Sequence, residues 1–304
     1  MIRPCDLCGS TETTRLLECE RLDGPLVRCH QCGLVYVGER LKDFTFAIVD
    51  KDKSRALAER VQALGLVDEL VEAAEAPWRH KLFEDRLRRL QRFISAGRLL
   101  EIGCASGEFL RLAAHAGFDV EGIEPEPITS ARARDSFGLN VMTGTLAEAA
   151  YPADSFDAVV LFHVLEHLDS PRQTVTEIHR ILKPGGTLAI ETPTIDTIWF
   201  RLLGSRWRQL IPDHYFFFTP HTLSRLLETV GFRVLEVKKV GKPMSIRLFL
   251  DRLRRFNSTL GKSLSSLAYL LGLENQTLHL TLGDVMLVAA QKTPSAVFAD
   301  TRTA

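Results

Sequence analysis

The stretch RLLEIGCASGEF at residues 98–109 constrains this chain more than any other. A short apolar run passes straight into a glycine-rich turn, and the turn opens a helical pattern near Ser106 or Gly107. A strand that ends on glycines at a helix N-terminus builds a ligand crevice at the edge of an open α/β sheet. The alternation then repeats. FDVEGIEPEP (118–127) is a second strand ending in an acid, and FDAVVLF (156–162) is a third, too continuously apolar for an edge. TLAIET (187–192) is another buried strand. Gly117 closes the first helix with a left-handed cap. Ser170-Pro171 opens a later one with Gln173 at the capping-box position, and Lys183-Pro184-Gly185-Gly186 stops it. This order predicts a doubly wound, Rossmann-like α/β sheet.

Glycine spacing decides what the crevice holds. A dinucleotide site needs G-x-G-x-x-G, so that a pyrophosphate can rest on the helix N-terminus. Here Gly103 and Gly107 stand four apart, and Glu101 lies two residues before the first. A carboxylate in that place repels phosphate and suits a cation. Glu124, ending the second strand, can take both hydroxyls of a ribose through its two oxygens. An adenosine with a cationic tail and no phosphate is S-adenosylmethionine.

The N-terminus carries a separate signal. Cys5-x-x-Cys8 and Cys29-x-x-Cys32 are two knuckles, each followed by glycine, Gly9 and Gly33. Four thiolates on two tight turns suit tetrahedral Zn2+. The segment has few large apolar side chains, so it needs a metal staple to fold. Residues 1–40 therefore read as a zinc ribbon with a structural or interfacial role, because four thiolates leave no open position for catalysis. Cys19 and Cys104 fall outside the pattern.

Residues 163–167 pose a rival reading. His163-Val-Leu-Glu166-His167 is the H-x-x-E-H of the inverted zinc peptidases. Those enzymes need the pair on a long helix with a third ligand downstream. HVLEHL instead follows a buried strand in a sheet whose first turn suits a nucleoside, so the peptidase reading fails on context.

Together these stretches resemble the class I S-adenosylmethionine-dependent methyltransferases. Among them the chain is most similar to the bacterial small-molecule group with an N-terminal four-cysteine zinc segment. LLEIGCASG resembles the family's first motif and FDAVVLFHVLEHL its fourth. ILKPGGTLAIETP resembles the helix–turn–strand that follows, and HYFFFTPHTLSRLLETVGF the segment where an acceptor-side His precedes a final helix. The likeness covers residues 90–240, and more loosely the ribbon and a last strand, Asp284 to Gln291. It implies a seven-stranded sheet whose cofactor site holds Glu101, Gly103, Cys104, Ala105, Gly107 and Phe162. Glu124 would bind the ribose, and Thr145 and Leu146 would bracket the adenine. Two departures matter: Ala105 stands where glycine is commoner and needs a negative φ, and the usual acid of the adenine loop is absent.

Methyl transfer is an in-line displacement at a sulfonium carbon. The protein orients the partners and, for a hydroxyl or carbon acid, removes a proton. Histidine suits that task. The candidates are His163, His167 and His214, with Asp213 or Glu166 as orienting partner, and His214 or His167 is preferred.

Lys plus Arg and Asp plus Glu each number 38, so the formal net charge is zero. The ribbon also lacks interleaved basic and aromatic residues. Both facts argue against nucleic acid as partner, and so against the alternative of a zinc-finger rRNA base methyltransferase. The expected acceptor is a small molecule: a sugar, a lipid or a secondary metabolite. No apolar run approaches a membrane span and the N-terminus lacks a signal-peptide core, which suggests a cytoplasmic protein. The expected division is a ribbon (1–40), linker and N-terminal helices (41–97), the cofactor-binding core (98–244), an amphipathic helical insertion (245–282), and a final strand with its tail (283–304). Asp43–Lys53 is the expected linker. In 245–272, Ile246, Phe249, Leu250, Leu253, Phe256, Leu260, Leu264, Leu267 and Leu271 recur at helical spacing, with Gly261 as a break. Arg247, Arg252, Arg254, Arg255 and Lys262 flank them. The pattern predicts a lid over the acceptor, with a peripheral membrane contact or a homodimer seam as alternatives.

Overall fold

The computed structural model describes residues 2–42, 51–63, 79–247, 249–250, 258–274 and 276–294. The expected linker lies outside them except for Lys51–Lys53, which already belong to helix α1 (Lys51–Ala63). Leu253 and Phe256 also lie outside the described residues.

Strands β1 (Thr13–Leu17), β2 (Leu26–Cys29) and β3 (Val35–Val37) form the N-terminal meander. The core sheet contains β4 (Gly97–Ile102), β5 (Phe118–Glu124), β6 (Asn140–Thr143), β7 (Phe156–Phe162) and β8 (Leu182–Pro193). It is completed by β10 (Phe232–Lys239) and β13 (Val285–Lys292), in the order β10-β13-β8-β7-β4-β5-β6. Only β13 runs against its neighbours, β8 and β10, so the seven-stranded sheet is mixed.

The central strands β4 and β7 are continuous in apolar residues because helices cover both faces. Leu99, Leu100, Val159, Val160 and Leu161 have no exposed surface. On one face α2 (Arg79–Leu90) and α3 (Glu108–His115) bring Leu90 and Phe109 onto Leu99 and Val160. On the other, α6 (Pro171–Ile181) and α8 (Pro220–Val230) bring Val175, Ile178, Leu223 and Leu227 onto Leu100, Val159 and Leu161. Each such side chain contributes about 1.5–3 kcal/mol by leaving water, before chain entropy is counted. The burial puts the carboxyl ends of β4, β5, β7 and β8 at one edge, which places Glu101, the turn at 103–107, Glu124, Phe162 and His163 there.

Two local expectations change. Helix α6 ends at Ile181 and β8 begins at once, so Lys183–Gly186 is looped out of a strand, not a turn before one. The register against β7 jumps from Phe156↔Leu182 to Ala158↔Thr187, with Gly185 at φ 78° making the excursion feasible. The helical spacing of 245–272 is also realised only in part. Ser245 belongs to β11 (Lys242–Ser245), which pairs with β12 (Thr277–Leu280) as a hairpin around α9 (Ser258–Leu270). Gly261 does not break α9, where it sits buried. Ala268 is buried on the same helix, while Leu267, Tyr269 and Leu270 are at least half exposed. No helix among the described residues is long and apolar enough to cross a membrane.

Candidate functional site

The turn after β4 places Gly103, Ala105 and Gly107 at φ 74°, 46° and 81°. Ala105 is therefore left-handed, contrary to the negative φ expected for it. Its N–H donates to Glu124 Oε2 at 2.8 Å, which offsets the roughly 1–2 kcal/mol such a conformation costs a residue with a Cβ. The two glycines are fixed by space as well as by φ. A Cβ on Gly103 would lie 2.5 Å from Val164 Cγ2, and one on Gly107 2.6 Å from Leu139 Cδ1.

Glu124 Oε1 accepts the N–H of Glu126 at 2.9 Å, so two backbone donors aim this buried carboxylate. Each oxygen keeps a lone pair for a ribose hydroxyl. Burial raises its pKa. Glu101 is more extreme: it is buried, Oε2 has no hydrogen-bond partner, and burial pushes its pKa up to about 8. A buried carboxyl with an orphaned oxygen is a feature that a cationic ligand relieves. The donor set fits S-adenosylmethionine on that ground.

Other expected cofactor residues are placed differently. The Cys104 thiol turns into a core cluster with Leu110, Ala133 and Val141, so only its backbone borders the turn. The Thr145 hydroxyl caps the short helix α5 (Leu146–Ala149) in a capping box with Glu148, and Leu146 is 7% exposed. That hydroxyl is committed to its own helix. Phe162 packs edge-on to Phe109, with the Arg86 guanidinium 4.4 Å over its ring.

The acceptor side begins where β7 ends. His163 has φ 58°, and a left-handed non-glycine residue at a sheet edge is a strained position of the kind found at functional sites. Its Nδ1 lies 3.2 Å from Glu166 Oε1 and its Nε2 3.2 Å from Glu191 Oε1, so both ring nitrogens are taken up by buried carboxylates. Contacts on both nitrogens fix the orientation of the His163 ring at the end of β7. The H-x-x-E-H stretch then forms a single 3-10 turn, Leu165–His167, and no long helix.

Glu166 is fully buried, and its Oε2 accepts from the Thr192 hydroxyl at 2.9 Å. Burial would push its pKa up, but His163, His167 and His214 pull it down to about 2. His167 Nδ1 donates to the Asp213 carbonyl at 2.9 Å and lies 3.2 Å from Asp213 Oδ2. Burial works against charge on this ring, yet Asp213 raises its pKa to about 9. His214 is buried and stacks edge-to-face on His167 at 4.6 Å. Its Nδ1 donates to the Gln209 carbonyl at 2.9 Å, which leaves Nε2 as the lone-pair nitrogen of the neutral ring. Burial first, and the His167 charge second, push its pKa down to about 4. The cluster thus sets a charged imidazole beside a neutral one.

Sequence reasoning missed Glu191 and Arg86. Glu191, 2% exposed, lies near the end of a buried strand much as Glu124 does, and that parallel was a usable signal. Arg86 hides among the many basic residues of α2. Burial makes it distinctive: its Nη2 donates to Glu191 Oε1 at 2.5 Å. Ile128, in the first turn of α4 (Pro127–Phe137) just past Glu124, is 78% exposed beside the crevice.

In the ribbon, Cys5 Sγ lies 3.4 Å from Cys32 Sγ and Cys8 Sγ 3.5 Å from Cys29 Sγ, and all four sulfurs lie within 4.8 Å of one another. The Gly9 N–H donates to the Cys5 carbonyl and the Gly33 N–H to that of Cys29, with both glycines left-handed, which closes two matching knuckles. Four converging sulfurs on two tight turns fit a tetrahedral Zn2+ held by these thiolates. Cys19 stands apart, its thiol directed to the Ser205 carbonyl.

A protein-family model described as a methyltransferase domain matches residues 75–237, more than half of the chain. The chain belongs to that methyltransferase family. A protein of Mycolicibacterium smegmatis named as a probable S-adenosylmethionine-dependent methyltransferase is 36% identical over 166 residues, 53% of this chain and 62% of that one. The ubiquinone biosynthesis O-methyltransferase of Aeromonas salmonicida is 26% identical over 52% of this chain and 76% of its own length. The crystal structure of a SAM-dependent methyltransferase from Archaeoglobus fulgidus has the same fold, with a TM-score of 0.50 at 21% identity, covering 70% of this chain and 94% of that one. The matched region of the methyltransferase family contains the crevice and the histidine cluster, and leaves the ribbon and the 245–282 insertion outside.

Proposed function

We propose that this chain transfers a methyl group from S-adenosylmethionine to a hydroxyl or acidic carbon of a small-molecule acceptor. The observation that carries this reading is the pairing of two buried carboxylates at one sheet edge, Glu101 with an orphaned oxygen and Glu124 aimed by two amides. Glu101 would face the cationic methionine end and Glu124 the ribose. Ile128 would lose its exposure against the adenine. When bound, the cofactor supplies an electrophilic methyl on sulfur.

The protein's own contribution is placement and proton removal. His214 Nε2 takes the acceptor's proton, because its Nδ1 is fixed as donor to Gln209. Asp213 holds His167 as a cation beside it, and Glu191 and Glu166 hold His163 at the wall. The zinc of the ribbon is structural in this reading. Two relatives named for quinone precursors or ubiquinone synthesis, from Oryza sativa and Aeromonas salmonicida, favour an acceptor of the hydroxylated small-molecule class. The insertion at 245–282 lies between β10 and β13, whose Val285 pairs with Pro193 at the carboxyl edge, and that position supports a lid.

Calorimetry with S-adenosylmethionine is the first test, followed by a screen of hydroxylated acceptors with methyl-labelled cofactor. No binding of the cofactor would overturn the proposal. Glu124→Ala should weaken that binding by about tenfold or more, since a charge-assisted hydrogen bond contributes roughly 1.5–3 kcal/mol. A change below about threefold, or under 0.7 kcal/mol, would remove Glu124 from the ribose.

A further inference from the structure

The ribbon grips both halves of the histidine cluster. One half is the turn Leu165–His167, followed by Leu168, Asp169 and Ser170. Arg40, just after β3, reaches that turn with a side chain only 4% exposed. Its Nη1 donates to Asp169 Oδ1 at 2.6 Å and its Nη2 to the Leu168 and Asp169 carbonyls at 3.3 Å. Asp6, inside the first cysteine knuckle, accepts from the Ser170 hydroxyl at 2.6 Å and from the Arg172 N–H at 2.7 Å. Ser170 is itself the N-cap of α6, so a knuckle residue completes the start of the helix that follows Glu166 and His167.

The other half is the segment Asp213–Phe217. Its last two residues, β9 (Phe216–Phe217), pair with β3 as the fourth strand of the ribbon sheet. The Val37 N–H donates to the Tyr215 carbonyl at 2.8 Å, and the Arg40 guanidinium lies 3.8 Å over the Tyr215 ring. A cation on an aromatic face and a planar fork on carbonyls are both geometries that only arginine combines. One side chain therefore touches the residue next to His214 and the turn that carries His167. The Tyr215 N–H closes the loop by donating to the Glu166 carbonyl at 2.8 Å.

We propose that Arg40 and Asp6 are positioning residues: the ribbon is a clamp that sets the separation and tautomers of His167 and His214. The clamp rests on the reading of these histidines as the acceptor side, and it adds the ribbon to the machinery that presents the acceptor. Closer to the rings, Asp213 and Gln209 accept their Nδ1 hydrogens and Glu166 faces both, while Arg3, also in the ribbon, adds a hydrogen bond to Asp169 Oδ1 at 2.8 Å. Metal at the four cysteines then acts on chemistry at a distance, by keeping Asp6 and β3 in place.

Histidine states can be read without knowing the acceptor. Full-length, zinc-loaded protein labelled with 15N at histidine is compared with Arg40→Met and Arg40→Lys by long-range 1H–15N spectra at pH 7. The wild type should show a neutral Nδ1–H pattern for His214 and an imidazolium pattern for His167. Arg40→Met should retain zinc and bind S-adenosylmethionine within about twofold of the wild type, yet show averaged tautomers for both rings. Arg40→Lys, which keeps the charge near Asp169, should restore part of the native pattern. If Arg40→Met loses zinc or cofactor binding, Asp169→Asn, at an exposed acid, is read by the same criteria. Unchanged histidine patterns in a zinc-loaded variant overturn the clamp while leaving the methyl-transfer reading intact. Failure of the wild type to bind the cofactor overturns that reading alone.

Discussion

The Cys8→Ser protein is expected to emerge without bound zinc and with its ribbon unfolded, while Cys19→Ser keeps one zinc per chain. Four sulfurs within 4.8 Å form a closed tetrahedral set, and a serine hydroxyl replaces a thiolate poorly at such a site. Structural zinc in small modules is worth roughly 10–16 kcal/mol of apparent binding energy at neutral pH, more than a segment of this size can supply by burial. The ribbon is not a free appendage, so the loss spreads. Leu7, Leu26, Leu34 and Tyr36 are buried in the same apolar cluster as Phe216 and Leu165, and they become exposed if the knuckles open. Metal analysis and a thermal scan on the two variants decide the matter. Equal metal loss in both would sink the four-cysteine assignment.

His214→Ala should lower turnover by a factor on the order of 10²–10⁴ and leave the affinity for S-adenosylmethionine unchanged. In the proposed reaction the lone pair on Nε2 takes the proton, and the ring contacts Gln209, His167 and Phe217 rather than Glu101 or Glu124. The pH profile carries a second signature. A proton acceptor works when deprotonated, so its acid limb falls where its pKa falls. For His214 that is near 4, far below the ordinary imidazole value of 6.5. Replacing the charged neighbour, as in His167→Gln, removes one cause of the depression and should move the limb upward. An active His214→Ala enzyme with only its Michaelis constant raised would reduce His214 to packing. An unmoved limb in His167→Gln would show that burial alone sets the pKa.

The sheet was legible because its central strands are buried on both faces, and long apolar runs such as FDAVVLF suit that place. The crevice was legible for a related reason. Glycines at left-handed φ and acids at strand ends cannot be exchanged for other residues without a clash or a lost carboxylate. What escaped was decided by tertiary contact. Nothing local distinguishes Arg86 from its basic neighbours, because its partner Glu191 lies far along the chain. Ala105 was expected at negative φ, and the Glu124 carboxylate holds it elsewhere. Thr145 has the right place for an adenine contact, but Glu148 three residues later claims its hydroxyl. The pairing of β3 with β9 had no sequence signal at all, since a two-residue strand inside an aromatic run carries no periodicity.

That last pairing bears on how the chain is made. The ribbon precedes the core in the sequence, so it leaves the ribosome before the core does, and its cysteines can collect metal while the core is still being synthesised. Its sheet nevertheless stays one strand short until Phe216 and Phe217 arrive, because Tyr36 waits for Phe216. Through that interval β3 presents Val35 and Val37 on an unpaired edge, a template for joining another nascent chain. Closing the edge is a long-range contact of the slow kind, made only after the sheet from β4 to β8 has been synthesised. The order of synthesis therefore makes the histidine cluster one of the later parts of the molecule to assemble, and a well-folded ribbon is the surface on which it is laid down.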